Sequence, residues 1–142
     1  MQPHIEQIEI NVAPARAALM DIIDVFNDAQ TGLTEPVQHL ALVIRDPKGK
    51  ITGGLSGVSY YGWLFIDHLV LPEPLRRQGL GTSLMQQAEA VAKTRGCIGI
   101  WLDTFSFQAP EFYQKLGFTV FGEIPDYPQG QSRFYLAKRL TV

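Results

Sequence analysis

The chain has 142 residues, 46% of them hydrophobic and 18% charged, with a formal net charge of −2 at pH 7. That length suits one domain around one core, and the composition is that of an ordinary soluble globular protein. Near-neutral charge is not the footprint of a nucleic-acid binder or of a protein held to an anionic membrane, and the single cysteine, Cys97, excludes an intramolecular disulfide.

In chain order, residues 4–12 read as a strand with Ile5, Ile8 and Ile10 as its apolar positions. The opening residues lack the basic and apolar regions of a secretory leader, and no apolar run reaches the length of a membrane span, so a cytoplasmic location is expected. Pro14 suits a first helical turn. Leu19, Ile22, Ile23 and Phe26 then keep helical spacing until Thr31-Gly32 ends the helix. Residues 33–39 carry no clear pattern. Residues 40–45 and 51–61 read as a hairpin around Asp46-Pro47-Lys48-Gly49-Lys50. Gly62 marks a second turn and residues 64–71 a third strand.

Residues 79–95 give the clearest helix, with Leu80, Leu84, Met85, Ala88, Val91 and Ala92 on one stripe and Gly96 as its cap. Residues 98–104 form a strand, 108–116 a short helix ended by Gly117, and 118–124 another strand. A turn-rich loop around Asp126-Tyr127-Pro128-Gln129-Gly130 leads to a last strand over 133–140. The expected order is β-α-β-β-β-α-β-α-β-β. It describes an α/β mixed sheet of about seven strands with helices on both faces, in a single domain over residues 1–142.

The most informative stretch runs Leu69-Val70-Leu71-Pro72-Glu73-Pro74-Leu75-Arg76-Arg77-Gln78-Gly79-Leu80-Gly81-Thr82. A β-rich run stops at prolines, and Arg-Arg-Gln-Gly-Leu-Gly opens a helix. Backbone N–H groups and the positive end of the helix dipole converge there, which suits a pyrophosphate. Glycines allow close approach and arginines add positive charge. No lysine follows Gly81, so this is not a Walker A loop; Leu84 stands where a dinucleotide fingerprint needs glycine.

What remains, Arg76-x-x-Gly79-x-Gly81, resembles motif A of the GNAT acyltransferase superfamily, R/Q-x-x-G-x-G/A, which holds the pyrophosphate of acetyl-CoA. Downstream, Ser106-Phe107-Gln108-Ala109-Pro110-Glu111-Phe112-Tyr113-Gln114-Lys115-Leu116-Gly117-Phe118 resembles the family's motif B, N-x-x-A-x-x-x-Y-x-K-x-G-F. The element order is that of the same fold. The resemblance implies an acetyl-CoA-dependent N-acetyltransferase in which a primary amine attacks the thioester directly. It implies that Arg76, Arg77, Gln78, Gly79, Leu80, Gly81 and Thr82 hold the pyrophosphate, and that the backbone of Leu69, Val70 and Leu71 holds the pantetheine. Ser106 stands at the usual asparagine position, where it offers fewer contacts.

Amide synthesis from a thioester needs a neutral amine, a donor for the oxyanion and an acid for the thiolate. Tyr113 occupies the family's general-acid position. Asp67 lies where some members carry a basic glutamate and, being one methylene shorter, suits a water relay. His68 is the rival base, its ordinary pKa being matched to neutral pH. Adjacent strand residues face opposite sides of a sheet, so only one of the two is expected to face substrate.

Cys97 reads as a small buried side chain rather than a nucleophile. The three histidines are too scattered for a metal site, and none is expected. Trp63 and Trp101 read as packing residues. Tyr60 and Tyr61, and separately Asp126, Tyr127 and Arg133, lie where an acceptor pocket could have its border. The alternative to an enzyme is a non-catalytic acyl-CoA-binding or regulatory module of the same fold. The acceptor, a small molecule or a peptide amine, cannot be read from the sequence, and a homodimer is a family-level expectation.

Overall fold

The computed structural model describes residues 2–141. Two compact units divide it, the first ending at Glu35 and the second starting at Pro36. The first is built on α1 (Ala13–Thr31), which has proline in its opening turn and closes on Gly32 at φ 67°, whose N–H donates to Asp28 O. Residues 4–12 form no strand. Ile8, Ile10 and Val12 do alternate as a strand would, but extended backbone persists as a strand only where a neighbour takes up its N–H and C=O groups, and none of the six paired strands includes these residues.

The second unit is a mixed sheet of six strands rather than seven: β1 (Gln38–Arg45), β2 (Ile51–Tyr60), β3 (Trp63–Val70), β4 (Gly99–Phe105), β5 (Thr119–Pro125) and β6 (Ser132–Arg139). Their spatial order is β1-β2-β3-β4-β6-β5. All neighbours are antiparallel except β3 and β4, which are joined by the crossover helix α2 (Leu80–Thr94). The short helix that the sequence places over 108–116 splits into a 3₁₀ turn (Ser106–Gln108) and α3 (Pro110–Lys115). Pro110 is the cause, because it disfavours right-handed helix in the preceding residue; Ala109 sits at φ 58°.

One face of the sheet carries the core. Leu55, Leu64, Ile66, Ile100, Leu102 and Leu136 meet Leu84, Met85, Ala88 and Ala92 from the stripe of α2, with Phe118 closing one end. Each such leucine or isoleucine contributes about 2 kcal/mol. The parallel pair begins at Trp63 opposite Gly99. Any Cβ at Gly99 would run into the Trp63 ring, so glycine is what lets the two strands start in this register.

Arg95 ties the far end of α2 to the sheet. Its guanidinium donates to Gln38 O at 3.1 Å, Ser59 Oγ at 3.0 Å and His39 O at 2.8 Å. Ser59 is buried, and its hydroxyl accepts from Arg95 and donates, at 3.4 Å, to Gln38 O. Arg95→Ala is expected to lower the unfolding free energy by about 2 kcal/mol, measured by urea denaturation, with Arg95→Lys recovering only part of the loss.

Candidate functional site

β3 and β4 pair over only four residues, from Trp63 opposite Gly99 to Ile66 opposite Leu102. Beyond that they part. β3 stays laddered to β2 as far as Val70, and β4 stays laddered to β6 through Phe105. Each strand keeps its outer neighbour and loses its inner one. The main-chain groups on the two inner edges are thereby left without strand partners, lining a cleft of about 190 Å³. Its walls are residues 66–70 of β3, 102–104 of β4, Gln108 and Tyr113.

The β3 wall is shaped by a bulge. Ser56 pairs with His68 and Gly57 with Ile66, so Asp67 is an extra residue with no opposite number. The expectation that strand alternation would turn only one of Asp67 and His68 toward the cleft is therefore overturned. Both are exposed and both line it. His68 Nδ1 is hydrogen-bonded to Ser56 Oγ at 2.9 Å, which fixes its ring. Exposure also relieves the cost that a carboxylate buried in an apolar strand would carry.

On the opposite wall Tyr113 is half-buried, edge-on to Phe112 and Phe118. Burial raises its phenol pKa above the ordinary value, because the charged phenolate loses more solvation than the neutral form. Gln108, which the sequence reading did not single out, accepts from Phe105 N at 2.9 Å through Oε1 and from Thr104 Oγ1 at 3.3 Å. It braces the end of β4 at the cleft.

Next to the cleft, residues 71–80 turn from strand to helix. Arg77 at φ 65° and Gly79 at φ 80° take left-handed conformations on either side of Gln78. Gly79 caps α2 with no side-chain bond, and the first turn contains no acidic residue. The first N–H in the helix to find an acceptor there is that of Ser83, on Gly79 O at 3.0 Å. Those of Leu80, Gly81 and Thr82 precede it and point out of the helix end. A Cβ added at Gly79 would meet nothing within 4 Å, so the loop is open there, whereas at Gly81 it would press on Phe112 at 3.2 Å and Leu71 at 3.4 Å. Gly79 thus leaves room for a ligand, while Gly81 lets α2 start against α3.

Arg76 Nε donates to Leu71 O at 3.1 Å and Gln78 Nε2 to Pro74 O at 3.0 Å, which brace the loop; Arg77 is exposed. The arrangement offers an anion free N–H groups, a helix dipole and guanidinium charge, so the residues present fit a pyrophosphate.

Ser106 stands apart. Its hydroxyl donates to Gln131 Oε1 and accepts from Ser132 N at 3.0 Å, and the hollow that it lines lies with Pro110, Glu111 and Gln114 rather than in the cleft. Tyr60 and Tyr61 pack on each other with tilted rings at the hairpin end and are not among the cleft residues. Burial pushes the Cys97 thiol up, against a nucleophilic role. The structure also shows what sequence reasoning missed at the cleft mouth, an ion pair between Asp103 and Arg133 at 2.8 Å. The partners are thirty positions apart and meet only because β4 and β6 are neighbours.

Residues 12–118 match the Acetyltransferase (GNAT) family. The chain belongs to that family. Its acyl donor is acetyl-CoA. An acetyltransferase of Agrobacterium fabrum is 36% identical over 127 residues, covering 89% of this chain and 92% of that protein. Blasticidin-S acetyltransferase of Streptomyces morookaense is 40% identical over 106 residues, covering 74% of this chain and 78% of that protein. The crystal structure of a Bacillus cereus acetyltransferase superposes with a TM-score of 0.82 at 36% identity, covering 97% of this chain and 98% of that one. GNAT membership accounts for the parted strands and the glycine loop together, and makes this chain an acyltransferase enzyme.

The open left-handed geometry at Gly79 gives a direct test. Gly79→Ala must hold a Cβ at φ 80°, which is expected to lower the unfolding free energy by about 1 kcal/mol in urea denaturation.

Proposed function

We propose that the chain, acting as one catalytic domain over residues 1–142, moves the acetyl group of acetyl-CoA to a primary amine of a small-molecule acceptor. The observation that carries this reading is the cleft where β3 leaves β4, with Tyr113 in its wall and the open N-terminus of α2 beside it. The N–H groups of Leu80, Gly81 and Thr82, with Arg76, Arg77 and Gln78, hold the pyrophosphate. The inner edge of the backbone over Leu69, Val70 and Leu71, turned away from β2, takes the pantetheine arm, and one of its N–H groups polarises the thioester carbonyl. Ser106 contributes through the loop that it fastens to Gln131 and Ser132.

The neutral amine attacks the carbonyl carbon, forming the C–N bond. As the C–S bond breaks, Tyr113 gives its phenolic proton to the departing thiolate. Asp67, through a water, accepts the proton that nitrogen loses, and the phenolate is then reprotonated from solvent. Amide and free CoA result, with no acyl-enzyme and no metal. The bulge supports Asp67 as base because it frees the carboxylate from strand alternation, while His68 is held by Ser56. The relative named for blasticidin-S makes that compound the first acceptor to offer.

Acetyl-CoA titrated by calorimetry into the wild type should bind, and an Arg76→Ala/Gly79→Ala variant should bind at least about tenfold more weakly. No binding to the wild type would sink the reading. Tyr113→Phe should lower kcat about a hundredfold. The acid must be protonated, and burial raises its pKa, so any fall in kcat due to Tyr113 is expected only above pH ~10 and should vanish in Tyr113→Phe. Asp67→Asn should lower kcat more than His68→Gln; the reverse order would move the base to His68.

A further inference from the structure

On the face of the sheet turned away from α2, Asp103 projects from β4 opposite Tyr135 of β6, between the buried Leu102 and Thr104. Its side chain is 16% exposed and it lines the reaction cleft, across from Asp67. Arg133 binds it in an unusual way. Nε at 3.0 Å and Nη2 at 2.8 Å both fall on Oδ1, which leaves Oδ2 without a partner among the described residues. Arginine–carboxylate pairs frequently engage both oxygens in the guanidinium fork, and here one is left open.

Arg133 is itself held by several neighbours. Its Nη1 donates to Tyr127 Oη at 3.0 Å, and its guanidinium lies over the rings of Phe105, Tyr127 and Tyr135 at 5.6, 5.1 and 5.5 Å. The hydrogen bond to Asp103 keeps it firmly cationic. Arg133 holds one carboxylate oxygen in place, and the other has no protein partner among the described residues. At the rim Phe107 stacks on Phe105 at 5.3 Å and stays exposed, as does Tyr127, so the surface beside Asp103 is aromatic and tolerant of cations.

We propose that Asp103 determines acceptor specificity by binding, through Oδ2, a second and protonated nitrogen of the acceptor, so that the substrate class is a diamine or a larger polyamino compound. Arg133 is the positioning residue that fixes Asp103. The inference rests on the acetyltransferase reading of the same cleft. It follows from charge: the attacking nitrogen must be neutral, so the cation that a free carboxylate oxygen recruits is a different nitrogen of the same molecule. Asp67, on the other wall, stays available for the attacking amine.

The test compares putrescine and cadaverine with butylamine and pentylamine, followed by release of the CoA thiol. In the wild type, kcat/KM for each diamine should exceed that for its monoamine at least tenfold. In Asp103→Asn that ratio should collapse toward one, with the diamine loss falling on KM. Asp103→Glu should restore part of the ratio, and Arg133→Lys should lower it. Acetyl-CoA calorimetry on each protein separates the failures. A wild type that does not bind acetyl-CoA overturns the acetyltransferase reading. A wild type that binds it but uses both amine classes equally, or uses neither, overturns the diamine proposal alone. Should Asp103→Asn lose acetyl-CoA binding through misfolding, Arg133→Lys carries the decision. Equal kcat losses on both amine classes, in a variant that still binds acetyl-CoA, would give Asp103 a general role in turnover and end the specificity proposal.

Discussion

Everything at the site depends on two parallel strands that pair over four residues and then separate. An unpaired main-chain edge inside a protein is costly, and folds avoid it. Here each strand remains laddered on its outer side, so the sheet stays intact while its middle opens. The opening supplies N–H and C=O groups at fixed positions, held by rigid neighbours rather than by a loop. An extended thioester arm is a suitable occupant, because it can replace the missing strand hydrogen bonds. The cost of parting the strands is set against the core on one face, where Leu64, Ile66, Ile100 and Leu102 lie just before the separation and are almost wholly buried.

The same separation organises the chemistry. β3 ends at the loop that opens α2, so the anion cradle lies at one end of the cleft. β4 ends at the 3₁₀ turn that leads to α3, which brings Tyr113 to the wall. Gly81 is where these elements meet, because a side chain there would push α2 off Phe112 and Leu71. A single small residue thus sets the distance between the cradle and the tyrosine. This explains why the two glycines of the loop are not equivalent: one leaves room for ligand, the other for a neighbouring helix.

How much of this was legible in the sequence follows from the range of the forces. Local signals were readable. Gly32 and Gly96 end their helices, the α2 stripe buries the face that it predicts, and the Arg76–Thr82 turn forms at the junction expected of it. The strand expected over residues 4–12 does not form, because a strand needs a partner and the local pattern of Ile8, Ile10 and Val12 says nothing of whether one is supplied. The bulge at Asp67 was invisible for a different reason. It is a mismatch between β2 and β3, and nothing within Leu64-Phe65-Ile66-Asp67-His68 announces where the partner strand will skip. Asp103 with Arg133, and Ser106 with Gln131, are likewise contacts made by topology.

The bulge changes how the two candidate bases should be weighed. In a regular strand they would compete for one face, and choosing between them would be a matter of register. With an extra residue on β3 both reach the cleft, so the choice passes to what else each side chain does. His68 has one ring nitrogen committed to Ser56, which fixes its orientation and leaves one nitrogen for solvent or substrate. Asp67 is exposed and takes part in neither ion pair among the described residues. A carboxylate free to order water suits a relay whose proton ends in solvent, whereas a ring pinned on one side suits a fixed wall. Under the proposed reaction, Asp67 then suits the proton relay and His68 the wall of the space offered to the amine.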